Sequence, residues 1–252
     1  MRRGSMSWRR REDARERRRQ VAGTGNPAGC ARSAPGVMAR PVSPPAPPTS
    51  TSTVPGEPAR ITAIRNPPPA GSFERLLKRL RIPAGSVQAA LAAGVWDLAL
   101  VLAAPVSMRL GLGASEFMAL FGPYAKASRH LMSRLERCPR VWLLAATIGP
   151  ALENRVQDMF AGGEAFSGYL LEYFGVWLTD QSLRGEIAAL RSLPGVRPGD
   201  LTGRLIPGCR DFPLESQAVF VGLAGPGLGL TLTSGSQLHP RMSVTAVIGH
   251  GF

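Results

Sequence analysis

The chain has 252 residues and a formal net charge of +13. A balance that basic invites a nucleic-acid reading, but residues 1 to 70 hold 13 Lys and Arg against 4 Asp and Glu, a net of +9, while the rest of the chain carries only +4. The basicity therefore belongs to the N-terminal stretch, and the remainder is not predicted to bind nucleic acid. Cys30, Cys138 and Cys209 are odd in number and far apart, which argues against a disulfide framework or paired CxxC zinc spacing and predicts a reducing, cytoplasmic setting.

Residues 1 to 20 form a basic run with no apolar core after it, so neither Sec nor twin-arginine export is predicted. A solvated tail is the reading preferred over a nucleic-acid arm. Ten prolines lie between Pro41 and Pro69, and Trp8 is the only aromatic residue before position 71. Such a composition cannot bury enough apolar surface to offset chain entropy, so residues 1–70 are predicted to be a disordered tail and residues 71–252 the folded domain. A translation start downstream of Met1 is a second way to explain it.

Folding is predicted to begin at Ser72-Phe73-Glu74, a helix start, with Leu76, Leu77 and Leu80 on one face and Pro83 closing it. Ser86 to Leu102 reads as a second helix. It is nearly long enough to span a membrane, but Asp97 inside it would cost about 2.5–3.5 kcal/mol at a bilayer centre, so it is read as a buried helix of a soluble domain. Pro105 to Leu112 reads as a strand, and Ala114 to Arg137 as mostly helical with a break or kink at Pro123. Val141 to Gly149 is a continuous apolar run of the kind that forms a strand buried on both faces. Pro150 then opens a helix bearing Leu152, Val156, Met159 and Phe160, and Gly162-Gly163 separates it from a long helical stretch, Glu164 to Leu190. Glu172 and Asp180 are spaced either to line one groove or to stand as solvated surface carboxylates.

The turn-rich segment Leu193 to Gly203 delivers the chain to Arg204-Leu205-Ile206-Pro207-Gly208, a cation beside a backbone corner that Pro and Gly favour. Such a loop is a seat for a small carboxylate-bearing ligand. Asp211 is predicted to cap a helix with Pro213 in its first turn and Glu215 near its positive end. Leu228 to Leu232 and Val244 to Ile248 read as two short strands. Gly225 to Gly229 is a turn rather than a phosphate loop, because it follows a helix and enters a strand. His130, His239 and His250 lack metal-site spacing, and no nucleophile elbow or glycosidase acid pair is present. Cys209, next to Arg210, is either a thiol of lowered pKa or a small packed residue.

Together these features resemble the activation (reactivation) domain of cobalamin-dependent methionine synthase. The matching residues are Arg204 with Pro207-Gly208, the capped segment Asp211 to Gln217, Leu232-Thr233-Ser234, and Pro240 with Ser243-Val244. Thr147-Ile148-Gly149-Pro150 and the following Leu152-Glu153 also match, as does the acidic helix after Gly162-Gly163. Cys209 stands where the family has tyrosine. The resemblance spans roughly residues 73 to 249 and is most specific in its last third.

The resemblance implies an α+β fold, here a small, mostly antiparallel sheet from the runs near 105, 141, 228 and 244, flanked by helices. It also implies S-adenosylmethionine binding at Arg204, with Ile206, Pro207, Gly208 and Cys209 contributing mainly through exposed backbone. The implied partners are a cobalamin-binding methionine synthase or corrinoid protein and a flavodoxin- or ferredoxin-type electron donor. The chain lacks the homocysteine zinc site, the folate barrel and a DxHxxG corrinoid signature. It also stops short of the C-terminal segment of the long enzymes, so the expectation is a stand-alone activation subunit with no membrane role. The alternatives are a non-redox module that binds S-adenosylmethionine or a corrinoid protein, and a degenerate paralogue that keeps only the fold.

Overall fold

The computed structural model describes residues 60–63 and 68–251. The fold is α+β, built around strand β3 (Arg140–Thr147), which is buried at every position after Arg140. It pairs antiparallel on one side with β2 (Val106–Gly113) and on the other with β6 (Ser243–His250). Strand β1 (Arg60–Ala63) adds to the free side of β2, so the order is β1-β2-β3-β6. A strand covered on both faces has no wet side to make polar, and this is why Val141 to Thr147 reads as an unbroken apolar run rather than an alternating one.

On one face Met108, Leu112, Val141, Leu143, Ala145 and Val247 pack against three helices: α3 (Ala114–Ala127), α4 (Arg129–Leu135) and α7 (Gln217–Leu228). Phe121 is fully buried there, with Phe117 stacked on it at 4.8 Å and Phe220 edge-on at 5.4 Å. On the other face Trp142, Leu144, Ala146, Ala246 and Ile248 meet Leu183 and Leu190 of the long helix α6 (Ala165–Arg191). Beyond the sheet, the first half of α6 packs with α1 (Ser72–Leu80), α2 (Val87–Leu102) and α5 (Ala151–Ala161) around Trp96 and Phe174, whose rings meet edge-on at 5.3 Å.

Local chemistry explains the helix ends. The Ser86 hydroxyl accepts from the Ala89 amide and starts α2. The Gly162 amide closes α5 on the Asp158 carbonyl, and Gly163 turns the chain in a left-handed conformation that favours glycine. Helix α2 is not buried all round. It lays Ala92, Val95, Trp96 and Ala99 inward and leaves Val87 (84%) and Val101 (80%) in solvent. Among the described residues no helix is long and apolar enough to cross a membrane.

Three expectations need correction. The run near residue 228 is not a strand of the main sheet, because α7 continues through Gly225–Leu228 and ends at Gly229 in the left-handed region. Its Phe220, Ala224 and Leu228 are held in the core, and Pro226 sits in the last turn, where it forgoes one helical hydrogen bond, to the Gly222 carbonyl. Only Thr231–Leu232 (β4) follows as a strand, and it pairs with β5 (Leu238–His239) in a separate ribbon. The fourth place in the sheet goes to β1, from the stretch read as open tail; residues 1–59 and 64–67 of that tail lie outside the described residues. Finally, α3 runs on past Pro123, and the break falls at Ser128, whose hydroxyl caps α4 by accepting from the Leu131 amide.

Candidate functional site

The segment that brings Arg204 to the surface is stitched to the outer edge of β6. Leu201 bridges to His250 and Leu205 to Val247, and the Thr202 hydroxyl accepts from the Gly249 amide at 2.9 Å. These bonds fix the backbone on both sides of Arg204. Its side chain does not stand free: Nη1 donates to the Asp180 carboxylate of α6, which also takes the Arg184 Nε at 2.5 Å. Partial burial pushes the Asp180 carboxyl up, but the hydrogen bonds and charges of Arg204 and Arg184 outweigh it and hold the group below the usual carboxylate range. Glu172 and Asp180 do not share a groove, since Glu172 faces Arg241 at 3.4 Å.

Beyond Leu205 the chain closes a tight turn. The Cys209 amide donates to the Ile206 carbonyl at 3.0 Å, the Gly208 amide to the Phe212 carbonyl at 2.8 Å, and the Phe212 amide to the Cys209 carbonyl at 3.2 Å. Gly208 (φ 80°) and Arg210 (φ 58°) are both left-handed, and a Cβ on Gly208 would stand 3.0 Å from Leu214 Cδ1. The Pro-Gly corner was expected to expose its backbone, but the amides of Gly208 and Cys209 are spent inside the turn, and Pro207 is buried. Cys209 is disulfide-bonded, which corrects the reading of it as a thiol of lowered pKa beside Arg210.

Asp211 is a second correction. It does not cap the helix after it, which begins only at Gln217 behind a 3-10 turn, Leu214–Ser216. Instead its carboxylate reaches back across 83 and 81 residues of chain to the start of α4, accepting from the Ser128 hydroxyl at 2.7 Å and the His130 amide at 3.1 Å. Those two bonds, the Ser128 one first, hold its pKa below the usual value.

The turn and α4 enclose a cleft of about 290 Å³. Its wall is formed by His130, Leu131 and Arg134 from α4, by Gly203 to Ile206, and by Cys209, Arg210 and Phe212. Arg210 Nη1 lies 3.1 Å from His130 Nδ1, which ties the turn to α4. Of the five residues singled out by the sequence, Arg204, Ile206 and Cys209 line the cleft, while Pro207 and Gly208 shape the turn behind it. His130, Arg134 and Arg210 were missed as site residues. The i, i+4 spacing of His130 and Arg134 on one helix face is the signal that pairs the first two. Nothing local in the sequence points to Arg210, because its place depends on a contact with α4.

No protein-family model matches this chain, and no curated protein does. Among solved structures, the chain is similar to the MetH reactivation domain crystallised with AdoHcy, with a TM-score of 0.50 and 12% sequence identity over 77% of this chain and 78% of that one. At that identity the likeness is one of fold, and over most of its described length the chain is built like a reactivation domain.

Proposed function

We propose that this chain is an S-adenosylmethionine-binding activation module supporting the reductive methylation of cobalamin held by a methionine synthase or related corrinoid methyltransferase. The observation behind the reading is that, in a fold similar to a domain crystallised with AdoHcy, Arg204 borders a cleft with Ile206 and Cys209. The module acts in reactivation and does not carry the whole methyltransferase reaction.

The residues present suit the amino-acid end of such a ligand. Arg204 uses Nη1 on Asp180 and keeps its other donors for a carboxylate, with its fork held by that ion pair. Ile206, Leu205 and Phe212 supply apolar wall, and Pro207 and Gly208 set the turn that presents it. At 290 Å³ the cleft lies at the small end of the roughly 300–1,000 Å³ typical of ligand pockets, which suits a ligand completed by a partner surface. When bound, S-adenosylmethionine would supply the methyl group, with an electron from a flavodoxin- or ferredoxin-type donor and cobalamin on the partner protein. This chain's part is binding and orientation.

Titration calorimetry on the full chain tests the proposal. S-adenosylmethionine should bind, and Arg204→Ala should weaken it by about 1.5–3 kcal/mol, the range for a hydrogen bond to a charged group. No binding by the wild type, either alone or with a cobalamin-loaded corrinoid protein present, overturns it.

A further inference from the structure

We infer that Arg134 and Arg210 set the charge of the ligand this cleft accepts, so that it selects a ligand of neutral or negative net charge over an otherwise identical cationic one. The inference rests on the ligand class proposed above and adds a rule of selectivity to it.

Three guanidinium groups line the cleft, and no carboxylate does among the described residues. Arg204 is paired with Asp180, which lies outside the wall and is shared with Arg184, so its charge is only partly offset. Arg210 contacts His130 Nδ1 and is in no ion pair with a carboxylate among the described residues. Arg134 lies one helical turn beyond His130 and pairs with no carboxylate among the described residues. Asp211, next to Arg210 in sequence and held by the Ser128 hydroxyl and the His130 amide, and Glu136, two residues after Arg134, each keep a negative charge nearby, but neither lines the cleft, where three guanidinium groups outnumber them. The cleft therefore keeps an excess of positive charge that its own acids do not cancel. The carboxylate of a bound amino-acid moiety is attracted to that excess, whereas a sulfonium is repelled by it.

S-adenosylmethionine carries a sulfonium, and S-adenosylhomocysteine has an uncharged thioether in its place, so the pair differs by one charge. The wild-type chain should bind S-adenosylhomocysteine about fivefold or more tightly at low salt, with the ratio falling as salt screens the field. Arg134→Gln combined with Arg210→Gln should bring the ratio close to one. Arg134→Lys with Arg210→Lys, which keeps both charges, should retain it. Tighter binding of S-adenosylmethionine by the wild type, or a ratio that survives the double Gln variant, overturns the inference.

A second probe separates this inference from the ligand assignment. Inorganic phosphate at low salt should shift the ring resonances of His130, assigned with a His130→Gln variant among the three histidines, and the double Gln variant should lose that shift. If neither adenosyl compound binds but phosphate still shifts His130, the ligand assignment falls and the selectivity rule stands. If phosphate does not shift His130 either, the rule falls too.

Discussion

Glu153 has a structural role whose size can be worked out from its contacts. It is 3% exposed and accepts twice from Arg241, from the backbone amide at 2.7 Å and from Nε at 3.0 Å. The Arg241 side chain is 54% exposed. Once released, its guanidinium can return to water, so the ion pair itself is worth at most about 1 kcal/mol. The amide is less replaceable. It belongs to the turn that leads into β6, where the Met242 carbonyl accepts from Ile148 and Thr179, and leaving it without an acceptor costs about 1–3 kcal/mol. Glu153→Ala should therefore cost about 2 kcal/mol, Glu153→Gln about 1 because an acceptor remains, and Arg241→Ala about 0.5 because the amide bond survives. For a domain of this size those values correspond to melting shifts of about 4–8 °C, 2–4 °C and 1–2 °C. Urea unfolding and thermal melts followed by circular dichroism would read them. If Arg241→Ala costs as much as Glu153→Ala, the ion pair rather than the captured amide holds the turn, and the reasoning fails.

Asp180 gives a pH prediction with a definite sign. Its folded pKa is lowered, so its contribution is complete above the unfolded carboxylate value near 3.9 and is lost as pH falls through the folded value. Wild type and Asp180→Asn should therefore differ by a constant amount near neutrality and converge below about pH 4 in urea midpoints; a gap that widens in acid would contradict the assignment. Ser128→Ala removes both the α4 cap and a donor to Asp211. It should cost about 1 kcal/mol and speed hydrogen exchange at the Leu131 amide, and unchanged exchange would count against the cap. Gly249→Ala would place a Cβ 2.5 Å from Cys138 Sγ and 2.8 Å from Leu135 Cδ2, so thermal melts should show a loss of about 1–3 kcal/mol, and a neutral result would mean the site can relax.

The parts of the fold that were legible in the sequence are those decided by neighbours in the chain. The apolar run of β3, the helix start at Ser86, and the Gly162-Gly163 break each depend on chemistry within a few residues. The misread parts depend on partners far away. Arg60 to Ala63 is a four-residue edge strand without proline inside a proline-rich stretch, and composition averages it away. Gly225 to Leu228 reads locally as a turn, yet Phe220, Ala224 and Leu228 continue a helical spacing that the core rewards. Arg204 was found from its Pro-Gly corner, but its partner Asp180 lies 24 residues earlier on a helix face noted only for its spacing from Glu172.

The same distinction explains how the cleft is held. Asp180 and Asp211 sit beside it without lining it, and each binds an element arriving from elsewhere in the chain. Asp180 ties the Arg204 segment to α6, and Asp211 ties the turn to the start of α4. Both acids stabilise position; Asp180 is offset by the cations it holds, whereas Asp211, held by neutral donors, keeps its negative charge near the cleft. Rigidity and potential are therefore coupled at Asp211, whose charge opposes that of Arg134 and Arg210 while its hydrogen bonds fix the wall. Replacing Asp211 with Asn separates the two effects: it removes a negative charge near the cleft while keeping one acceptor for α4. If potential governs affinity, Asp211→Asn should tighten S-adenosylhomocysteine binding while lowering the melting temperature; if wall position governs it, both should fall together, and calorimetry beside a thermal melt tells the two apart.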